Sequence, residues 1–338
     1  MKNQALALLT PRLPAGWQSR LRSQGVLEIK GGRGNAGLLA FESRAALSPR
    51  DIPAIKEKLS ALIRTLGPEA APLVVAPFLS SSVRRCLNEA GLSYADNTGN
   101  MRILLGEPAL YIETQGAARN PDRKQRQARS LKGPKAGRLI RSLCDDAPPF
   151  AVRKLANAAG INAGYVSRVM SFLESEDLIE RENRGPVTLV RWRRLIERWA
   201  DDYSFQGSNR VIPYLEPRDI GDLPRRLAAL GGSLAVTGSA AAAVLAPIAP
   251  TRLIAAYVGS PEAAAEKLGL RPAETGANVL LAEPYDPVVF DRTRELDGVP
   301  FAAPSQVAAD LLSGPGRGPS EAQALLDWMQ AHEPDWRR

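Results

Sequence analysis

The sequence has one histidine and two cysteines in 338 residues, and this scarcity excludes several chemistries. With His332 as the only histidine, a Cys/His metal site cannot be assembled. A Ser-His-Asp triad would have to use that same residue, and we expect none. Cys86 and Cys144 are distant in the sequence and give no disulfide framework. We therefore expect neither a bound metal nor a cofactor.

Long apolar runs are also missing. The first residues contain too short an apolar run, with no small-residue cleavage pattern behind it, to be a signal peptide. No window approaches a transmembrane span. These absences predict a cytoplasmic protein with no membrane partner. The composition, 44% apolar and 24% charged, allows two or three domains with cores of their own.

Acidic residues are scarce in one region. The net charge is +8, and residues 117–141 hold nine basic side chains against Asp122 alone. Such a run can be a solvated linker, but this one adjoins a helix-turn-helix pattern. We therefore expect it to follow a phosphate backbone, with Lys132 and Lys135 among the contacts.

The helix-turn-helix pattern lies at residues 150–176. The segments FAVRKLANAA and AGYVSRVMSFLESE predict two short helices joined by the turn Gly160-Ile161-Asn162. In the second helix four apolar residues fall at i, i+3, i+4 and i+7, and so share one face: Val166, Val169, Met170 and Leu173. Residues 178–190 predict a two-stranded wing that turns at Gly185-Pro186.

The opposite face of the second helix carries small and polar groups that suit a major groove. Arginine can pair bidentately with guanine, and serine can donate or accept. No acidic residue occurs between Arg153 and Leu173. The predicted contacts to DNA are Asn162, Tyr165, Ser167, Arg168 and Ser171, with Arg153, Lys154, Arg181, Arg184, Lys132 and Lys135 for the backbone. A protein-binding role, with Arg168 merely solvated, is the alternative.

The remaining segments predict an α/β plus α+β multidomain protein. Residues 1–116 form an α/β domain, 117–133 a basic linker, 134–204 the winged helix-turn-helix domain and 205–338 a second α/β domain. The first domain is expected to contain a helix at 17–23, strands at 26–30 and 38–42, a helix from Ser48 to about Leu66, and a later series of short strands. Ser260-Pro261-Glu262 is expected to open a helix that Gly269 closes. A capping box, Ser320 to Gln323, is expected to open the last helix.

The element order of the first domain resembles the restriction-endonuclease-like core. That family places an acid on one hairpin strand and an acid-x-Lys on the next, where they hold Mg²⁺ and assist the attacking water. The matching positions are Glu28, then Glu42 and Arg44 in FESR. Glu replaces Asp, and Arg, which cannot give up a proton, replaces Lys. The resemblance therefore implies a degenerate nuclease domain with vestigial catalytic residues.

In the last domain, a strand followed by Gly238-Ser239 and a helix resembles the entry of the nucleotidyltransferase fold. In that fold Gly-Ser cradles a triphosphate, and a following D-x-D holds two metals. No Asp or Glu occurs between Leu223 and Pro261, so the metal-binding pair is missing. The resemblance implies a nucleotidyltransferase-like α/β scaffold without transfer activity.

Three stretches together resemble the AbiEi-type antitoxin and transcriptional regulator family of type IV toxin-antitoxin systems. They are YADNTGN with the strands after it, the winged helix running into LVRWRRLIERWADDY, and EPYDPVVF with APSQVAADLLSGPGRGPSEAQALL. The resemblance implies repression of the protein's own operon, with the winged helix on inverted repeats. It also implies a nucleotidyltransferase-like toxin encoded nearby, which the antitoxin opposes without needing to bind it. The simplest members carry the winged helix at the N-terminus, whereas here it is central.

The sequence thus predicts a sequence-specific regulator of double-stranded DNA, antitoxin-like and not an enzyme. The oligomeric state stays open, with a homodimer among the candidates. Two alternatives stay open as well: a divergent Mg²⁺-dependent nuclease using Glu28 and Glu42, and a protein-interaction module built on inactive enzyme folds.

Overall fold

The computed structural model describes residues 4–32, 34–118, 120–122, 130–182 and 185–338. The chain divides into two compact units. Unit 1 comprises Met1–Ala128 with Glu174–Asp177, and unit 2 comprises Arg129–Leu173 with Leu178–Arg338. In the part of the chain that is described, no helix is both long and apolar enough to cross a bilayer.

A seven-stranded mixed sheet forms the centre of unit 1. Its strands are β1 (Gln18–Ser23), β2 (Val26–Lys30), β3 (Ala36–Ser43), β4 (Ala71–Ala76), β5 (Ser93–Asp96), β6 (Met101–Leu105) and β7 (Leu110–Thr114). They lie side by side in chain order. β3, β4 and β5 are parallel, and all other neighbours are antiparallel. The strands predicted from β2 to β7 are therefore confirmed, with small shifts in their ends.

Helices cover both faces of this sheet. Parallel strands need crossover connections, and α2 (Ile52–Leu66) and α3 (Ser81–Glu89) provide them. The apolar face of α2 packs with α3 on the side of the sheet that carries Ala40 and Val74. The short helix α1 (Gln4–Leu9) packs on the opposite side. Alternate strand residues are thus buried on two faces, as a covered sheet requires.

The helix predicted at residues 17–23 is wrong, because the edge strand β1 occupies Gln18–Ser23. The strand pairs with β2 in an antiparallel register that sets Arg20 opposite Glu28, and the two side chains form an ion pair. A helix of about seven residues is only marginally stable by itself. Pairing with a neighbouring strand satisfies the same backbone groups and adds the cross-strand contact.

Unit 2 begins with four helices and a small hairpin. They are α4 (Pro134–Asp145), α5 (Val152–Ala158), α6 (Ala163–Ser175), β8 (Ile179–Arg181), β9 (Val187–Val190) and α7 (Trp192–Ala200). The helices and the hairpin predicted for this region are confirmed, although α5 begins two residues late. α7 buries Trp192, Leu195, Ile196 and Trp199 on one face.

A second seven-stranded sheet follows. The elements are α8 (Phe205–Ser208), β10 (Arg210–Leu215), α9 (Leu223–Ala229), β11 (Leu234–Thr237), α10 (Gly238–Leu245), β12 (Ile254–Val258), α11 (Pro261–Leu268), β13 (Arg271–Pro272), β14 (Val279–Glu283), β15 (Arg294–Leu296), β16 (Val299–Phe301), α12 (Pro304–Leu312), α13 (Gly318–Ala331) and α14 (Glu333–Trp336). The strand order is β13-β10-β14-β12-β11-β16-β15.

Helix ends in this region test two capping predictions. Ser260 accepts a hydrogen bond from the Ala263 amide at 3.3 Å, and Gly269 ends α11 in the left-handed region, so that prediction is confirmed. The capping box at Ser320 is wrong, because α13 already begins at Gly318. Pro319 lacks an N–H and fits best in a first helical turn, which moves the helix start ahead of Ser320.

One cluster of buried apolar side chains joins the two parts of unit 2. It includes Leu139 of α4, Trp199 of α7, Leu311 of α12 and Met329 of α13. Trp192 also meets Trp336 edge to face, with ring centroids 4.9 Å apart. α4 to α7 therefore share a core with α12 to α14.

Candidate nucleic-acid interface

The second helix of the predicted pair, α6, has one buried and one exposed face. Its buried side chains are Val166, Val169, Met170, Phe172 and Leu173. The opposite face exposes Gly164, Ser167, Arg168 and Ser171. The apolar stripe predicted from the periodicity is therefore the buried face of α6, and the small and polar groups lie on its exposed face.

The turn before α6 is set by Gly160 and Asn162. Gly160 has a φ of 62°, in the left-handed region that favours glycine. The Asn162 side-chain oxygen accepts from the Gly164 amide at 2.8 Å, so it satisfies a donor in the first turn of α6. Asn162, predicted to contact DNA, thus holds the helix start in this structure.

The polar side chains of α6 differ in how free they are. Ser171 donates its hydroxyl to the Ser167 carbonyl at 3.1 Å, which leaves its oxygen as an acceptor. Arg168 is exposed and forms no ion pair with the described residues. Tyr165 is half-buried, and burial raises the pKa of its hydroxyl, which keeps that group a neutral donor. This face can therefore offer a guanidinium and hydroxyl groups to a base edge.

Further basic side chains lie on the neighbouring helices. Arg153 and Lys154 on α5 are exposed, as are Lys132 and Lys135 at the start of α4. No ion pair to any of these four occurs within the described ranges. Because α5 and the turn before α6 contain no acidic residue, a positive potential is expected on this side of the segment.

The hairpin β8–β9 carries the predicted wing residues. Ile179 pairs with Val190 and Glu180 with Leu189, so the register agrees with a wing turning at Gly185. Arg181 donates to the Gly185 carbonyl at 3.2 Å and is half-buried, so it braces the turn. Arg184 lies outside the described residues.

Two arginines counted in the basic run are not available to phosphate. Arg141 is 2% exposed and pairs with Asp145 at 2.8 Å, while its other nitrogens donate to the Val288 and Asp291 carbonyls. Arg138 pairs with Asp286 at 2.8 Å. The expectation that the whole run follows DNA is wrong for these two. The sequence did hold a signal for Arg141, since Asp145 follows it at i+4 on the same helix face.

The sequence LVRWRRLIERWADDY also suggests that the arginines in and just before α7 could reach phosphates: Arg191, Arg193, Arg194 and Arg198. Three of them have partners inside unit 2. Arg191 pairs with Glu180 at 2.6 Å, Arg193 with Asp327 at 2.6 Å, and Arg198 with Asp202 at 3.0 Å. These pairs hold the hairpin and α13 to α7. Sequence spacing could reveal only the last of them, which is an i, i+4 pair.

A buried polar cluster joins Tyr203, which follows α7, to the second sheet and to α12, and no sequence pattern indicated it. The Asp310 carboxylate accepts hydrogen bonds from Thr237, Tyr203, Tyr257 and Gln306, with Tyr203 at 2.7 Å and Gln306 at 2.9 Å. Burial raises the pKa of Asp310 to about 6, and the four hydrogen bonds oppose that rise. Gln306 also accepts from Arg141 at 3.3 Å, which extends the cluster to α4.

The residues predicted to be vestigial nuclease ligands, Glu28 and Glu42, do not form one site in unit 1. Glu28 pairs with Arg20 and Arg22, while Glu42 pairs with Arg44 at 3.1 Å and Lys58 at 2.7 Å. Glu28 lies opposite Leu38 in the sheet, so Glu42 is four residues further along β3. At about 3.4 Å per residue the Cα atoms of Glu28 and Glu42 are separated by roughly 14 Å along the strand direction, too far for both carboxylates to hold one ion without rearrangement.

Other candidate centres have structural explanations. The described residues contain no group of three or more His, Cys, Asp or Glu side chains that could hold a metal. Ser239 donates its hydroxyl to Glu321 of α13, which is buried. A carboxylate therefore lies against the Gly-Ser turn at the position where a phosphate would be expected, and it would repel one.

The YADNTGN stretch forms a buried hydrogen-bond network. Asp96 accepts from the amides of Leu79, Thr98 and Asn100 at 3.0, 2.8 and 3.1 Å. The Asn100 amide group donates to Asp96 at 2.9 Å, and Gly99 has a φ of 101°. The composition of Asp96-Asn97-Thr98-Gly99-Asn100 predicts a turn with a positive φ at Gly99 that the Asp96 and Asn100 side chains cap, and these contacts confirm it.

Comparison with known proteins gives one family match. Residues 188–330 match the family described as "Transcriptional regulator, AbiEi antitoxin, Type IV TA system". The match begins in β9 and ends in α13, so it includes α7 and the second sheet but not α5 or α6. No curated protein matches the sequence.

A solved structure, "Structure of EndoMS in apo form", is similar to part of the chain. It is 22% identical over 27% of this chain, with a TM-score of 0.20. The chain spans 43% of the length of that protein.

Proposed function

We propose that this protein is a transcriptional regulator that binds double-stranded DNA sequence-specifically. In this proposal α4, α5, α6 and the hairpin form a winged helix-turn-helix, and α6 is the recognition helix. The observation that carries it is the two-faced packing of α6, whose polar face presents Ser167, Arg168 and Ser171 to solvent. The unpaired state of Arg168 among the described residues leaves its guanidinium available for a base edge.

The family match supports a regulatory rather than a catalytic role. Residues 188–330 are similar to antitoxins of type IV systems, so we infer an antitoxin-like repressor with a cognate toxin encoded nearby. Carboxylates that are already paired with arginine and lysine, as Glu28 and Glu42 are, argue against a working nuclease centre.

Basic side chains on α4 and α5 would position the recognition helix. Arg153, Lys154, Lys132 and Lys135 are exposed, and each phosphate that such a side chain neutralises releases counterions. These contacts fix the register on the duplex without reading sequence. Affinity should therefore fall steeply with salt, while sequence preference follows the α6 side chains.

The test is selection of bound fragments from randomised duplex DNA at near-physiological salt with Mg²⁺ present. We expect an enriched motif in intact DNA, and paired half-sites would indicate that two copies bind. Arg168→Ala should weaken binding to the selected motif about 5- to 150-fold and relax preference at one base pair, the effect of about 1 to 3 kcal/mol. Lys154→Ala should weaken all sequences alike and reduce the salt slope by about one.

Arg271→Ala is the matched control, because Arg271 is an exposed arginine on β13 of the same unit. It should leave affinity and preference unchanged. Equal preference in Arg168→Ala and the wild type would refute the docking of α6. Absence of any enriched motif would favour a protein-interaction module, and cut DNA that depends on Glu42 would favour a nuclease.

A further inference from the structure

We propose that unit 2 contains a binding site for a small monocarboxylic acid with an apolar body. The site is a cavity of about 270 Å³ between α10, the β15–β16 hairpin, α12 and α13. Most of its wall is aliphatic or aromatic. The apolar wall residues that carry the argument are Ala241, Val244, Leu245, Phe301, Val307 and Leu325.

Arg294 supplies the one cationic group among the described residues of this wall. The guanidinium carbon of Arg294 lies 5.7 Å from the centre of the Trp328 ring. This cation–π contact helps to orient the arginine side chain. The Arg294 guanidinium forms no hydrogen bond or ion pair with the described residues, and one of its nitrogens, Nη1, is also shielded from water. A guanidinium whose N–H groups are incompletely paired favours an anionic acceptor, so a carboxylate brought to this wall of the cavity would be favoured.

The rest of the wall restricts the ligand further. Glu295, the other charged wall residue, is exposed and would repel a second anionic group. Val244 and Leu296 are 39% and 50% exposed, which gives the cavity an apolar mouth. Pockets for drug-sized ligands begin at about 300 Å³, so this cavity fits a smaller molecule. A single carboxylate on a short aliphatic or aryl body meets all of these conditions.

Octanoate is the probe, and octanol, which has the same chain length without the carboxylate, is its control. Isothermal titration calorimetry on the full chain should show one octanoate per chain, with octanol at least about tenfold weaker because it lacks the charge-assisted hydrogen bonds. Arg294→Met should weaken octanoate by about tenfold or more. Arg271→Met, an exposed arginine away from the cavity, should not change its affinity.

A second variant tests the cavity separately from the charge. Ala241→Leu fills part of the cavity while Arg294 stays intact, so it should abolish octanoate binding through loss of volume alone. Circular dichroism would check that the Arg294→Met and Ala241→Leu variants remain folded. Equal binding of octanol and octanoate, or unchanged binding in either variant, would overturn the proposal, as would absence of heat with octanoate at millimolar concentration. The experiment uses no DNA, so its outcome is independent of the proposed regulator function.

Discussion

The buried Asp310 carboxylate should make unit 2 more stable at pH 5 than at pH 7, relative to a variant that cannot titrate. Asp310 lies among Thr237, Tyr203, Tyr257 and Gln306, and burial raises its pKa to about 6 from an ordinary value of 3.8. The folded protein therefore binds a proton more tightly than the unfolded chain. The resulting stability is fully present below the unfolded pKa and is lost as pH rises through the folded pKa.

The magnitude follows from proton linkage. Between pH 7 and pH 5 the folded state gains on the order of 1 kcal/mol relative to the unfolded chain, because the pKa of Asp310 is about 6 in the folded protein and 3.8 ordinarily. Asp310→Asn removes this titration while keeping the side chain's size. The asparagine variant should be less stable overall, because four donors meet an amide that accepts less strongly. Its free energy of unfolding should lack this contribution of about 1 kcal/mol to the pH dependence.

Urea unfolding followed by tryptophan fluorescence measures this, since Trp192, Trp199, Trp328 and Trp336 lie in unit 2. Trp17→Phe would remove the signal from unit 1. Asp327→Asn is the control: Arg193 lowers the pKa of Asp327, so neither of its pKa values falls between pH 5 and 7. A wild-type-minus-Asp310→Asn difference that is equal at the two pH values, or larger at pH 7, would refute the assignment.

Two further perturbations test packing in the two units. A Cβ on Gly137 would lie 2.0 Å from the Tyr285 hydroxyl, which is buried and has no partner among the described residues. Gly137→Ala should therefore lower the free energy of unfolding of unit 2 by about 1 to 3 kcal/mol. In a double-mutant cycle measured by urea unfolding, Tyr285→Phe should recover part of that loss, and purely additive effects would contradict the contact. In unit 1, Asp96→Ala should lower the free energy of unfolding by about 3 kcal/mol or more, because it leaves buried amides unpaired. Amide hydrogen exchange of residues 71–105 should accelerate while that of unit 2 is unchanged. Unaltered exchange in residues 71–105 would show that the network is dispensable.

Local patterns predicted much of the fold. The i, i+3, i+4, i+7 spacing located the buried face of α6, and Ser260 with Gly269 located both ends of α11. These signals act within one or two helical turns, so the sequence contains them completely. The strand at Gln18–Ser23 was missed because its stability comes from pairing with β2, and short polar strands have little signal of their own.

The fate of charged side chains was harder to predict, because it depends on partners far along the chain. Arg141 and Arg168 are both arginines on amphipathic helices. Arg141 meets the Val288 carbonyl, 147 residues away, and is buried, whereas Arg168 stays in solvent. Net charge therefore located the basic region but could not separate the side chains that stabilise unit 2 from those that could contact phosphate.

The Gly238-Ser239 turn shows that partners far along the chain also limit the prediction of function from sequence. Its sequence suggests a phosphate cradle, and the absence of acids from Leu223 to Pro261 removes the metal ligands but leaves the turn itself intact. The structure brings Glu321, 82 residues away, onto the Ser239 hydroxyl. A buried carboxylate in that position satisfies the serine and excludes an anion. The Gly238-Ser239 turn therefore has a partner in α13 that a bound phosphate would have to displace, which favours a structural use of the turn.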